Sequence, residues 1–243
     1  MNPYYSAESL SFADAQKTLQ LNYLSTTLYT FNNTPTSGDD PTFPYKSSGS
    51  PITYPLVASN YTRLTTDPEG LVQNKDGTFW ISDEYGPYVY LLSSKGKILK
   101  TIVPPEAAIP RINGTINFTS AGDPNSGRSA NQGLEGLTSS ASGDKLYGLM
   151  QSALMQDGGG NKATNRYARF FKWDVGNLDH ITLEAEYVVP LPQSSKPETY
   201  AQSEIHWLNK NQFLVLARDG SGQGGGSAKS AYKCVLESAT VTV

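Results

Sequence analysis

The sequence predicts an all-β fold of the β-propeller type, incomplete as written, and three observations predict it. Strand and turn formers dominate: 15 Tyr, 22 Gly and 15 Pro stand among 243 residues, of which only 17% are charged. That balance favours strands and turns over helices. One hairpin pattern then recurs three times, and each copy opens on an acidic residue. The copies start at Asp67-Pro68-Glu69-Gly70-Leu71, at Gln132-Gly133-Leu134-Glu135-Gly136-Leu137 and at Ala201-Gln202-Ser203-Glu204-Ile205. Their glutamates lie 66 and 69 positions apart. Units of short strands with an inward acid are how a propeller lines its central channel, although the period exceeds the usual ~40–50 residues per blade.

The elements follow in order. Residues 1–50 read as an N-terminal segment and 51–243 as the propeller domain. Phe12 to Leu19 carries the one helical pattern. Tyr23 to Tyr29 reads as a strand, Asn32 to Ser50 as a Pro/Ser/Thr/Asp loop, and Ile52 to Leu64 as a strand again. In the first unit Leu71 and Val72 lead into Asn74-Lys75-Asp76-Gly77, where Asp-Gly supplies the positive φ of a tight hairpin. Thr78 to Ile81 returns, and Val89–Leu92 and Ile98–Val103 complete a sheet. Residues 104–133 form a connection long enough to suggest function or disorder. The second unit pairs its inner strand with Lys145–Met150 and adds outer strands at Arg169–Trp173 and Leu183–Val189. The third turns at Asn209-Lys210-Asn211 and returns through Gln212–Arg218.

Composition removes several functions. Net charge is −3 without a basic run, which argues against a nucleic-acid partner. No apolar stretch approaches the ~20 residues of a membrane span. The single Cys234 has no internal disulfide partner, and no Cys/His cluster suggests zinc. Met1-Asn2-Pro3 opens without the basic and apolar regions of a signal peptide. Four Asn-x-Thr acceptors occur, at Asn32, Asn60, Asn113 and Asn117. A monomer is expected.

The candidate chemistry is acidic. Glu69, Asp83, Glu84, Glu135, Glu204 and Asp219 are candidate ligands of Ca²⁺, which takes oxygen donors at flexible geometry. Asp83 and Glu84 alternate along a strand, so one of them, left open here, faces the channel with Glu69. The same acids also suit turns or channel arginines. Arg218, beside Asp219, is a candidate clamp for an anionic substrate, or else a salt bridge between blades. Arg128 in the long connection is a second anion candidate. His206 follows Glu204 by two and shares its face, as general base, ligand or rim residue; Glu135, His206 and Arg218 form the catalytic set. His180 sits in an exposed turn. No Gly-x-Ser-x-Gly elbow supports a serine esterase. The stretch Gly220–Ser230 has Ala228 where a phosphate loop has its last glycine, and reads as a flexible loop.

Asp67-Pro-Glu-Gly-Leu with Trp80-Ile-Ser-Asp-Glu-Tyr-Gly-Pro87, then Asn131-Gln-Gly-Leu-Glu-Gly-Leu-Thr138, Leu146-Tyr-Gly-Leu-Met-Gln-Ser-Ala-Leu154 and Ala217-Arg-Asp-Gly-Ser-Gly222, resemble the phytase-like family described as having esterase-like activity of phytase, its fungal secreted members above all. The resemblance spans roughly residues 50–233. It implies a propeller, an extracellular setting and calcium-assisted hydrolysis of a small phosphate or other ester. Family members begin with a signal peptide and continue past the Arg-Asp-Gly-Ser-Gly segment, so a shortened chain is expected here. A non-catalytic binding propeller and a lactonase-like propeller with one channel metal are the competing readings.

Overall fold

The computed structural model describes residues 23–59, 62–193 and 197–218, and the backbone of 235–240. The helix expected around Phe12, together with Asn60, Asp219, Gly220–Ser230 and Cys234, lies outside them. Nearly all regular structure is strand. Two short hairpins come first, β1 (Thr30–Phe31) with β2 (Thr34–Pro35) and β3 (Phe43–Tyr45) with β4 (Tyr54–Leu56). The expected strand at Tyr23–Tyr29 does not form, and Tyr23, Leu24 and Leu28 are exposed. The strand expected over Ile52–Leu64 shrinks to β4.

Three larger sheets follow. The first is β5 (Pro68–Gln73), β6 (Phe79–Asp83), β7 (Val89–Leu92) and β8 (Ile98–Ile102), paired antiparallel in sequence order. Gly77 takes the expected positive φ of 84° between β5 and β6. The long connection is not structureless: a 3₁₀ turn (Glu106–Ala108) precedes the hairpin of β9 (Arg111–Ile112) and β10 (Thr115–Ile116). The second sheet is β11 (Leu134–Ser139), β12 (Lys145–Met150), β13 (Tyr167–Asp174) and β14 (Thr182–Pro190). The third is β15 (Ala201–Asn209), β16 (Gln212–Arg218) and β17 (Val235–Thr240).

The sheets stand side by side with their first strands innermost, β5 and β15 flanking β11. This is the meander-blade arrangement of a propeller, seen among the described residues as an open arc of three sheets. Each gap between sheets is filled from both faces. Trp80, Leu91 and Ile102 meet Leu134, Leu146, Phe171 and Trp173 between the first and second. Tyr147, Leu149 and Phe170 meet Ile205, Phe213 and Val215 between the second and third. The middle sheet is therefore apolar on both faces, and each fully buried Leu or Phe contributes about 1.5–3 kcal/mol. A third cluster, around Ile81, Tyr88, Tyr90 and Phe118, packs Phe31, Ile52 and Tyr54 onto the first sheet and joins residues on either side of position 50.

Glycines let the inner strands approach. A Cβ on Gly70 would lie 2.5 Å from Leu137 Cβ, and one on Gly136 3.1 Å from the backbone nitrogen of Ile205. Ser82 fastens the first contact: it accepts the Gly70 N–H at 2.8 Å and donates to the Glu135 carbonyl at 3.1 Å.

Candidate functional site

All three inner hairpins lose register at the same point. Pro68 pairs with Asp83 and Leu71 with Ile81, leaving Glu69 and Gly70 opposite Ser82 alone. Leu134 pairs with Met150 and Gly136 with Leu149, leaving Glu135 without a partner. Gln202 pairs with Ala217 and Glu204 with Leu216, leaving Ser203. A bulge turns its extra residue out of the alternation and re-aims its side chain. The residues at the bulges are thus Glu69, Glu135 and Ser203. The expectation that Glu204 repeats the other two glutamates is off by one residue, and one residue in a strand reverses the face.

At the first two bulges four carboxyl groups converge. Single ligand oxygens of Asp67, Glu69 and Glu84 all lie within 4.8 Å of one another. Glu69 is exposed, Asp67 half-buried and Glu84 buried. Glu135 adjoins them. Burial, then Glu135, Glu69 and Asp67, push the Glu84 carboxyl up to about 10. Burial and Glu69 raise Glu135 to about 7, against the pull of Arg218. The two carboxyls adjoin each other, and burial with the neighbouring acids favours a proton on Glu84 over one on Glu135. Glu69 is raised by burial and by Asp67. Crowded acids hold protons unless a cation takes their place.

Of the adjacent pair that the sequence left open, Glu84 faces the cluster. Asp83 is fully buried and accepts the N–H groups of Asp67 at 2.6 Å and Gly86 at 3.1 Å. It locks the corner that presents Glu84, and burial raises its pKa despite those bonds. Arg128 holds the same corner from the other side. Expected as an anion contact, it is instead fully buried, and its donors go to the carbonyls of Tyr85, Ser129, Phe118 and Thr119. Burial lowers its pKa to about 10. No face of that guanidinium is left for a ligand; it ties the 104–133 connection to the Glu84 corner. Gly133 completes the approach, since a Cβ there would lie 2.6 Å from the Glu84 Cα.

The third sheet supplies the opposite charge. Arg218 Nη2 lies 3.7 Å from Glu135 Oε1, and its Nε–H donates to Ser203 Oγ. Where the first two units carry a bulge glutamate, the third carries a serine that braces an arginine. Glu135 Oε2 is buried and has no hydrogen-bond partner among the described residues. Gln151, just beyond β12, gives the Glu135 carboxylate a side-chain hydrogen bond.

Glu204 and His206 sit elsewhere. They line a cleft of about 640 Å³ further along the inner strands, with Leu71, Val72, Leu137 and Trp207. Glu204 turns an oxygen back to the Ile205 N–H at 2.8 Å, and burial raises its pKa. His206 is exposed, apart from the four acids. Sequence reasoning missed Asp67, Gln151 and Ser203 as site residues. Asp67 carried a signal in standing two positions before Glu69, just ahead of β5, and Gln151 in returning one hairpin after Glu135; Ser203 carried none.

A family model described as phytase-like, esterase-like activity of phytase, matches residues 7–242. The chain belongs to the phytase-like family. A relative from Arthroderma benhamiae, described as an uncharacterized secreted protein, is 38% identical over 249 residues. The match covers 88% of this chain and 49% of that one, so the chain spans about half the length of the curated relative it matches. Among solved structures, the crystal structure of the Cps50 (Swd1) β-propeller domain of Myceliophteria thermophila matches at 11% identity with a TM-score of 0.23. It covers 63% of this phytase-like chain and 48% of that one. The propeller assignment stands on the sheet arrangement. The phytase-like chain has, among its described residues, no helix long and apolar enough to cross a membrane, and its acidic cluster can hold a metal ion.

Proposed function

We propose that this phytase-like chain is a calcium-assisted hydrolase of phosphate or other esters, working outside the cell as a glycoprotein. One observation carries the reading: Asp67, Glu69, Glu84 and Glu135 converge at the bulges of two inner strands with a braced guanidinium beside them. The donor set fits a hard cation. It is all carboxylate oxygen, three of the oxygens lie within 4.8 Å of one another, and Glu135 Oε2 has no hydrogen-bond partner among the described residues.

Asp67, Glu69 and Glu84 would hold the ion, with Glu135 at its edge. Bound calcium would polarise a phosphoryl or carbonyl oxygen and make a bound water more acidic. The chain's own groups do the rest. Glu135, with a free oxygen and a pKa near 7, accepts the proton of an attacking water as general base. Arg218 faces the developing negative charge, and Ser203 fixes the guanidinium plane. The extracellular setting is supported by the secreted relative and by the Asn-x-Thr acceptors.

The test is release of phosphate or p-nitrophenol from model esters by the full chain, with calcium and with EDTA. Turnover that needs calcium and falls at least ~100-fold in Glu135→Gln supports the proposal. Unchanged turnover in that variant removes Glu135 from the reaction. A calcium-dependent rise in melting temperature without any turnover points to a structural ion and a binding role.

A further inference from the structure

Two of the four Asn-x-Thr acceptors occupy one and the same local geometry. Asn32 and Asn33 have φ of 49° and 63°, and they are the two loop residues between β1 and β2, where Phe31 pairs with Thr34. Asn113 and Gly114 have φ of 50° and 77°, and they are the two loop residues between β9 and β10, where Ile112 pairs with Thr115. Positive φ at both central residues is the type I′ hairpin turn. In both hairpins the acceptor asparagine is the first turn residue, and the threonine of its triplet opens the returning strand. Asn32 and Asn113 are exposed, and among the described residues neither carboxamide has a hydrogen-bond partner. Such turns form from contacts a few residues apart, so they are available while the chain is being made.

Asn117 has the same triplet in a different setting. It is half-buried, and its Oδ1 accepts the Thr119 N–H at 3.0 Å. The Thr119 hydroxyl donates to Asp40 Oδ2 at 2.6 Å, and Asp40 Oδ1 accepts the Ser120 N–H. Phe118, between them, is a core side chain. The backbone N–H of Asn117 is bonded to the Pro110 carbonyl at 3.0 Å. The carboxamide oxygen and backbone N–H of this acceptor are engaged within the connection, Thr119 and Ser120 dock the triplet against Asp40, and its middle residue anchors it in the core. Asp40 precedes the triplet in synthesis, so that docking is open as soon as the triplet emerges.

We propose that Asn32 and Asn113 are the N-glycosylation sites of this protein and that Asn117 stays unmodified. The donor is a lipid-linked pyrophosphoryl oligosaccharide. The side-chain amide nitrogen forms a bond to the first sugar's anomeric carbon and gives up one proton. The sugar–oxygen bond breaks, and the lipid pyrophosphate leaves with that electron pair. Both sugars then project from hairpin tips into solvent and displace no packed side chain. Asn60 lies outside the described residues and forms no part of the inference.

The inference rests on the extracellular part of the functional reading, and the experiment separates the two. The full chain is fused to a cleavable heterologous secretion leader and expressed in yeast, so the site occupancies are read whether or not the native protein is exported or catalytic. Peptide-N-glycosidase digestion in ¹⁸O water marks each occupied asparagine as labelled aspartate, read by peptide mass spectrometry. High occupancy at Asn32 and Asn113 with Asn117 essentially unlabelled is the expected result. Thr34→Ala and Thr115→Ala should each remove one glycan from the gel mobility, whereas Asn117→Gln should change nothing. Labelling of Asn117 comparable to the other two, or an empty Asn32 or Asn113, overturns the proposal.

Discussion

Replacing Glu84 by Gln should stabilise the metal-free protein, although it removes a residue from the heart of the site. Glu84 is 2% exposed and its pKa stands at about 10, against 4.5 for an ordinary glutamate. At pH 7 the fold therefore keeps a proton on a group that would lose it in the unfolded chain. The cost is the gap between pH 7 and that ordinary value at 1.36 kcal/mol per unit, roughly 3 kcal/mol as an order of magnitude. Gln keeps the size and puts a neutral amide beside Glu135 in place of the protonated acid. The sign follows from linkage. A carboxyl whose folded pKa is raised binds more protons folded than unfolded, so stability is full below about pH 4.5 and falls as pH rises. The fall from Glu135 ends near pH 7, and that from Glu84 continues to about pH 10. Urea unfolding in EDTA should give the variant an advantage of up to about 3 kcal/mol at pH 7 that nearly vanishes at about pH 5. A variant less stable than the parent at pH 7, or an advantage independent of pH, refutes the crowded-acid argument. Calcium at ~1,000 times its Kd should reverse the order, because it adds about 4.1 kcal/mol to a chain with the full ligand set.

Other substitutions probe the frame around the cluster. Arg128→Met should destabilise by roughly 3–5 kcal/mol, seen in the urea midpoint, because it strands four backbone carbonyls and uncovers the Asp83 corner. Gly133→Ala should weaken calcium binding at least ~10-fold by calorimetry while most of the fold survives, since its Cβ pushes the Glu84 backbone out of place. Arg218→Gln removes the cation that lowers the Glu135 pKa, so the acidic limb of the pH–rate profile should move to higher pH. Ser203→Ala should move it in the same direction by a smaller amount, as the guanidinium loses its brace.

Much of this fold is legible in the chain because strands and turns are local. Asp76-Gly77 sets a hairpin by itself, and Val89–Leu92 is a strand of four apolar residues that the structure reproduces residue for residue. The acidic rhythm is legible too, and Glu69 and Glu135 do converge. The failures share a cause. Tyr23–Tyr29 has strand-like composition but no paired strand among the described residues, and a strand without a partner gains no ladder. Arg128 looks like a free cation in a polar loop until the loop folds around it and supplies four carbonyls.

The third unit shows the division most clearly. By itself the sequence determined most strands of the three sheets and a recurring acidic position, because side-chain alternation and turn residues act over a few positions; β17 and the β9–β10 hairpin came only with the structure. Only the tertiary structure decided which side chain stands at each inner position. A bulge shifts the register by one, and one position in a strand is the difference between facing the cluster and facing away from it. Hence Ser203 and Arg218 stand where Glu204 was expected, and Glu84 rather than Asp83 meets Glu135.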